Sequence, residues 1–309
     1  MSKYGIENTH KALYQRLYEY INSQYFGSSI LLQEAILPKI VEEGVLYRKP
    51  FVEANKAYET IANGITIDET EIPTYIKEFM SKMIESNLGV YKNPFSHQVK
   101  ALESFYNNKD LFIATGTGSG KTECFMWPMI SSIAEETYKR KNSWKMRGVR
   151  ALLLYPMNAL VSDQVGRLRR IIGDANGDFG RILKDWANDS ELRMPQFGMY
   201  TGRTPYPGEK NSKKDAKLAN AITKDILDAS EEIKKELARL GKLPAKKDLY
   251  QFVESLKEGE HLTDKEDAEL ISRFEMQKNC PDILITNYSM LEYMLMRQRE
   301  SSIWDETIL

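Results

Sequence analysis

The chain has 309 residues and 35.7 kDa, with 42% hydrophobic and 28% charged residues. That supports two domains, or one large α/β domain with additions, and argues against global disorder. Lys plus Arg number 43 against 44 Asp plus Glu, which excludes a highly basic nucleic-acid-coating protein but not a local basic groove. The two cysteines, Cys124 and Cys280, exclude a disulfide-rich scaffold and a cysteine zinc cluster, and a reduced cytoplasmic setting is the simplest reading. No apolar run approaches the roughly 18 residues of a membrane span, and Met1–His10 is no signal peptide.

The first ninety or so residues read as a helical accessory region, residues 1–92. Asn8 or Thr9 can cap a helix whose apolar face holds Leu13, Leu17, Tyr20 and Ile21. Ile30 to Val41 is a second apolar stretch, interrupted by Pro38. After the Asn63-Gly64 turn signal, Pro73 fits the first turn of a helix with Ile76, Phe79, Met80 and Ile84 inward. From Asn93 the pattern changes to α/β. Short β-rich runs at Leu111–Thr115, Ala151–Tyr155, Phe197–Thr201 and Asp282–Thr286 alternate with amphipathic helices. This predicts a mostly parallel sheet with flanking helices. Glu209 to Lys278 interrupts the alternation with 15 basic and 16 acidic residues, and reads as a solvated helical insertion broken at Gly241–Pro244.

The strongest chemical signal is Thr115-Gly116-Thr117-Gly118-Ser119-Gly120-Lys121-Thr122, between a β-run and an apolar helix. Phosphate needs backbone N–H donors, glycines let the chain wrap closely around it, and the helix N-terminus adds a favourable dipole. Lys121 is expected on the β- and γ-phosphates of a nucleotide and Thr122 on Mg²⁺. Thr115 stands where the strict pattern has glycine. Upstream, Gln98 in Asn93-Pro94-Phe95-Ser96-His97-Gln98 can donate to and accept from the adenine edge, selecting ATP over GTP; the plain alternative is a solvated helix-start glutamine. Phe95 either packs near the base or staples the helix, and His97 reads as structural.

Phe95-Ser96-His97-Gln98 followed by Thr117–Thr122 resembles the Q-motif and motif I of superfamily 2 DEAD/DEAH-box helicases, in the style of the large bacterial Lhr-like type. Leu154–Gln164 resembles motif Ia, Tyr200–Pro205 sits where motif Ib belongs, and Pro281–Leu291 is similar to motif Ic. The resemblance covers about Asn93 to Arg297. It implies a RecA-like P-loop fold over residues 93–309. ATP contacts would come from Gln98, Thr117, Gly118, Ser119, Gly120, Lys121, Thr122 and Glu123. Lys121 and Thr122 would be catalytic, with Thr122 at the metal. The same resemblance implies sequence-tolerant contacts to one strand of DNA, with RNA the less favoured alternative, by Pro156, Asn158, Arg167, Gly202, Arg203, Thr286 and Asn287. Residue types agree: backbone N–H groups, hydroxyls and cations at strand ends can grip phosphate without reading sequence. The plainer readings stay open. Arg167 and Arg170 can be a solvated helix face, Gly202-Arg203-Thr204 a turn, and Asn287 or Ser289 a helix cap. Met290, Leu291, Met294, Leu295 and Met296 read as helix packing.

A superfamily 2 motor also needs an acidic pair on a buried strand and a second lobe. Asp305-Glu306 follows Ser301–Trp304, which is no buried strand, so it is not read as that pair. The expectation is therefore the amino-terminal part of an ATP-dependent helicase or translocase of genome maintenance or phage defence, ending before motif II, whose partner is the downstream remainder or a split-gene product. Two rivals are a restriction-type motor subunit and a non-catalytic nucleotide or nucleic-acid binding module.

Overall fold

The computed structural model describes residues 5–42, 44–48, 57–66, 69–205 and 208–307. Met1–Tyr4 of the amino-terminal segment and Ile308 lie outside them. By packing, the chain divides into Met1–Ala57 and Tyr58–Leu309. In the first unit, α1 (Ile6–Ile21) starts ahead of Asn8 and Thr9, so neither caps it, and it buries none of its own residues. Ser29 caps α2 (Ile30–Ile40), accepting from Leu32 N at 3.4 Å, and Pro38 is accommodated inside that helix. Tyr47 packs edge-on to His10 and Tyr14.

The second unit opens with α3 (Thr74–Glu85), for which Pro73 is the N-cap. Ile76, Phe79, Met80 and Met83 face inward at three- and four-residue spacing and enter the main core, so the packing boundary falls ahead of Asn93. Then follow α4 (Ser96–Tyr106), α5 (Glu123–Lys139), α6 (Lys141–Lys145), β1 (Ala151–Tyr155), α7 (Asn158–Ile171), α8 (Asp178–Ala187) and β2 (Phe197–Tyr200). The insertion supplies α9 (Ser212–Ile222), α10 (Glu231–Arg239), α11 (Leu249–Lys257), β3 (Glu269–Leu270) and α12 (Arg273–Lys278). After it come β4 (Ile283–Asn287), α13 (Tyr288–Met296) and α14 (Ser301–Asp305).

The four strands form one wholly parallel sheet in the order β1-β4-β2-β3. Central β4 alternates its side chains between two apolar layers. Ile283 and Ile285 meet the α3, α5, α7 and α8 side, and Leu284 meets Tyr200, Met276, Cys280, Met294 and Ile303. This is a helix–sheet–helix sandwich, the α/β RecA-like architecture expected from the sequence.

Three expectations change. Leu111–Thr115 forms no strand among the described residues, and Phe112 is 95% exposed. β-propensity selects a strand only where a ladder partner and a covering face exist, and no described strand flanks this segment. The 209–278 segment is more than a solvated insertion. It has its own apolar cluster (Ala219, Ile222, Phe252, Val253, Leu256), and it contributes the edge strand β3. It also docks on α7, where Gly241 (φ 66°) lies so close to the backbone of Gly166 that a Cβ could not fit. Arg169 clamps the same joint through Glu269. Finally, only Met294 of the Met290–Met296 group is buried, so α13 is covered along one face; Leu295 and Met296 are 64% and 67% exposed.

Buried charges hold the layers in register. Asp282, fully buried, accepts from Arg193 Nη1 and Nη2 (2.6 and 2.8 Å), Arg150 Nη1 (2.9 Å) and Gln196 N (2.9 Å). Both arginines also lie over the Trp144 ring. In the insertion, Lys246 sits buried between Asp267 and Glu275. His261 bridges Asp215 (2.9 Å) and Ser272 (2.8 Å). An ionised Asp215 can only accept, so Nε2–H donates to it; Nδ1 of the neutral ring then accepts the Ser272 hydroxyl proton, while Ser272 Oγ accepts from Glu275 N as the α12 cap. Burial lowers the His261 pKa, which keeps the ring neutral in this role. All three residues are buried, so the trio is a structural cap rather than a hydrolytic triad.

Candidate nucleotide site and nucleic-acid edge

The loop from Thr115 to Thr122 leads into the N-terminus of α5, as the motif requires. Gly118 and Gly120 take left-handed φ values of 75° and 72°. Gln98, buried at the start of α4, fills the space a Cβ on Gly120 would need and donates to Gly120 O at 3.0 Å. Its other amide atom, Oε1, accepts from Phe95 N at 2.9 Å. His97 Nε2 donates to Ser119 O at 2.8 Å. The departure at position 115 has a local use: Thr115 Oγ1 meets Ser119 Oγ at 2.6 Å, a side-chain clasp across the loop that glycine could not make.

Lys121 Nζ donates to Thr115 O (2.6 Å) and Gly116 O (2.8 Å), so the cation already lies inside the curl of the loop. Thr122 is the N-cap position of α5, but its hydroxyl caps nothing. A Cβ on Gly118 would meet no atom within 4 Å. Left-handed glycines, a cation inside the curl, an unspent hydroxyl and open space above Gly118 together fit a triphosphate with Mg²⁺. Thr117 lies in the turn beside Gly118 and is exposed. Glu123, 8% exposed, pairs through Oε1 with Arg167 Nη1 at 3.1 Å, and its Oε2 packs against Gly120 of the loop. Burial pushes the Cys124 thiol up to about 11, so it is inert packing.

The second group of residues gathers at the carboxyl ends of the strands. The register pairs Tyr155 with Asn287 and Tyr200 with Thr286, so Pro156 and Asn158, Gly202 and Arg203, and Asn287 end on one edge. Asn287 Nδ2 donates to Asn158 Oδ1 at 2.6 Å, and Asn287 Oδ1 caps α13 through Met290 N. Thr286 is fully buried and donates to Tyr200 O at 2.6 Å, so it shapes the edge and offers no hydroxyl to a ligand. Gly202 and Arg203 are exposed, above a tight turn in which Thr204 Oγ1 accepts from Thr201 N. Tyr288, 68% exposed, stands beside Asn287. Arg167 does not join this edge. It lies toward the far end of α7, between Glu123 and Asp163. Arg170 is exposed and, with Thr122, Glu123 and Arg167, lines a cavity of about 260 Å³. A larger groove of about 1410 Å³ lies elsewhere, between α8, the end of α7 and Ala238–Lys247, and most of its cations are already paired with acids.

Sequence reasoning missed Tyr58, whose hydroxyl accepts from Gly116 N at 2.8 Å, and the Asp282 hub. Tyr58 lies 58 residues from its partner, beyond any local pattern.

Residues 95–195 match the DEAD/DEAH box helicase family. Over 98% of its length the chain is 38% identical to the Druantia protein DruE of Escherichia coli (strain UMEA 4076-1), and the match covers 17% of that protein. It is 27% identical over 45% of its length to YprA of Bacillus subtilis, named an uncharacterized ATP-dependent helicase, covering 18% of it. It is 32% identical over 27% of its length to the ATP-dependent RNA helicase CHR1 of Candida albicans, covering 13% of it. No solved structure matches the chain. These likenesses support a superfamily 2 DEAD/DEAH-box helicase domain in this chain. It spans less than a fifth of the length of these curated relatives.

Proposed function

We propose that this chain is the ATP-binding part of an ATP-dependent nucleic-acid helicase or translocase that acts on DNA. The observation that carries the reading is α7. Its first residue, Asn158, belongs to the strand-end edge, and Arg167 on the same helix pairs with Glu123, the residue after the phosphate loop. One rigid helix therefore joins the surface suited to a phosphate backbone to the loop suited to a triphosphate. Lys121 and the loop N–H groups bind the β- and γ-phosphates, Thr122 holds the Mg²⁺, and Arg203, Asn158 and Asn287 hold the strand. Bound Mg²⁺ supplies charge neutralisation on the phosphates. Of the two settings, genome maintenance and phage defence, efficiency of plating with Lys121→Ala in the host tests the second.

Binding to single strands is expected to be sequence-tolerant and salt-sensitive. With about 2 or 3 phosphates neutralised, affinity should fall roughly tenfold between about 50 and about 200 mM salt. Fluorescence anisotropy with two unrelated DNA strands, and the RNA equivalent of one, reads this directly. A strong preference for one DNA sequence would contradict the motor reading, and a preference for RNA would replace DNA as the track.

Gln98→Ala is expected to weaken ATP and to narrow its margin over GTP. The amide now held by Gly120 and Phe95 would otherwise turn to the base. Titrations with both nucleotides check this. An equal loss for the two would make Gln98 a loop support and not an adenine reader.

A further inference from the structure

Tyr58 is brought to the phosphate loop by a short antiparallel contact. Glu59 O accepts from Ser96 N (2.8 Å), Thr60 bridges Phe95, and Ile61 N donates to Pro94 O (2.9 Å). This pins residues 59–61 beside the start of α4. The Tyr58 ring then rests on Phe95 and His97, with centroids 5.6 and 5.4 Å away, and His97 in turn holds Ser119 O. From that pad the hydroxyl reaches over the loop and accepts the Gly116 N–H at 2.8 Å. Tyr58 is 36% exposed, and what holds it over the loop is its contact with the Phe95 and His97 rings and with the Gly116 amide.

The consequence concerns the loop's donors. A phosphate loop works by aiming unspent N–H groups and one cation at the anion. Here the Gly116 N–H is spent on Tyr58, and the Lys121 ammonium is spent on the carbonyls of Thr115 and Gly116. Both groups converge on Gly116, so the hydroxyl and the ammonium close the same peptide from two sides. An arriving polyphosphate must displace the tyrosine hydroxyl before Gly116 can turn its N–H inward.

We propose that Tyr58 is a latch on the nucleotide loop, and that its hydroxyl competes with the polyphosphate of the incoming nucleotide. The proposal rests on the reading of Thr115–Thr122 as the ATP site. It predicts that removing one oxygen from a residue outside the motif tightens binding.

The test is isothermal titration of the full chain, as wild type and Tyr58→Phe, with Mg²⁺–ATP and with inorganic tripolyphosphate. The phenylalanine ring keeps its packing on Phe95 and His97, and thermal melting checks that the fold is unchanged. Loss of one competing hydrogen bond is expected to raise the affinity for both ligands roughly threefold to tenfold. A second readout is independent of ligand: the Gly116 amide should exchange faster with solvent in Tyr58→Phe than in the wild type. Unchanged or weaker tripolyphosphate binding in Tyr58→Phe would overturn the latch. So would tighter ATP with unchanged tripolyphosphate, which would assign Tyr58 to the base. Lys121→Ala separates the two layers of the argument. If it leaves tripolyphosphate affinity intact, the loop is not the phosphate site and the reading beneath the latch fails.

Discussion

Replacing Asp282 by alanine is expected to destabilise the α/β unit by about 3–5 kcal/mol, the cost of breaking a buried ion cluster by removing one partner. The carboxylate has no solvent exposure and serves two guanidinium groups and a backbone N–H. Arg150 retains Glu136 at 2.8 Å, but Arg193, 11% exposed, keeps the Trp144, Met146 and Met194 carbonyls and the Trp144 ring, none of which carries a full negative charge. An almost buried cation would then lack its counter-charge. Asp282 also sets the entrance of β4, since its carbonyl accepts from Arg150 N and Ala151 N and so aligns β4 with β1. Urea denaturation followed by Trp fluorescence measures the loss. Asp282→Asn, which keeps the shape and one acceptor, should cost less than Asp282→Ala. A change under about 1 kcal/mol in the alanine variant would show that the arginines find other partners or water.

Lys121→Ala is expected to weaken Mg²⁺–ATP binding by on the order of tenfold to a hundredfold, the worth of a charge-assisted hydrogen bond to an anion. The substitution removes the one side-chain cation that the loop encloses. It also frees the carbonyls of Thr115 and Gly116, which are exposed enough to be satisfied by water, so the fold should persist. Unchanged melting with lost binding is therefore the expected pair of results. Equal ATP affinity in mutant and wild type would remove the phosphate-loop assignment.

The loop was legible because everything it needs is contiguous: glycines at 116, 118 and 120, then Lys121 and Thr122 opening an apolar helix. Three of the four β-runs were legible for a similar reason, since short apolar segments between long amphipathic ones read as buried parallel strands. The fourth, Leu111–Thr115, has the same composition and yet forms no strand, because pairing is a property of neighbours and not of the run. The edge residues were legible in part. Pro156, Asn158, Gly202, Arg203 and Asn287 do converge, whereas Thr286 turns inward and Arg167 lies toward the far end of α7. Helical periodicity could place Arg167 and Arg170 on adjacent turns but could not say which acid they would meet.

By itself the sequence determined the class of fold, the place of the glycine-rich loop ahead of an apolar helix and three of the strands, because each depends on residues within about one helix or one turn of each other. Tertiary structure alone decided what occupies those groups. It spent Lys121 on its own loop, set Tyr58 against Gly116, drew Glu269 out of a charged insertion to make an edge strand, and centred two arginines on Asp282. Each of those contacts except the one within the loop joins residues separated by 58 to 132 positions. No local period encodes such a pairing. It is selected only when buried donors and charges must find partners as the layers close.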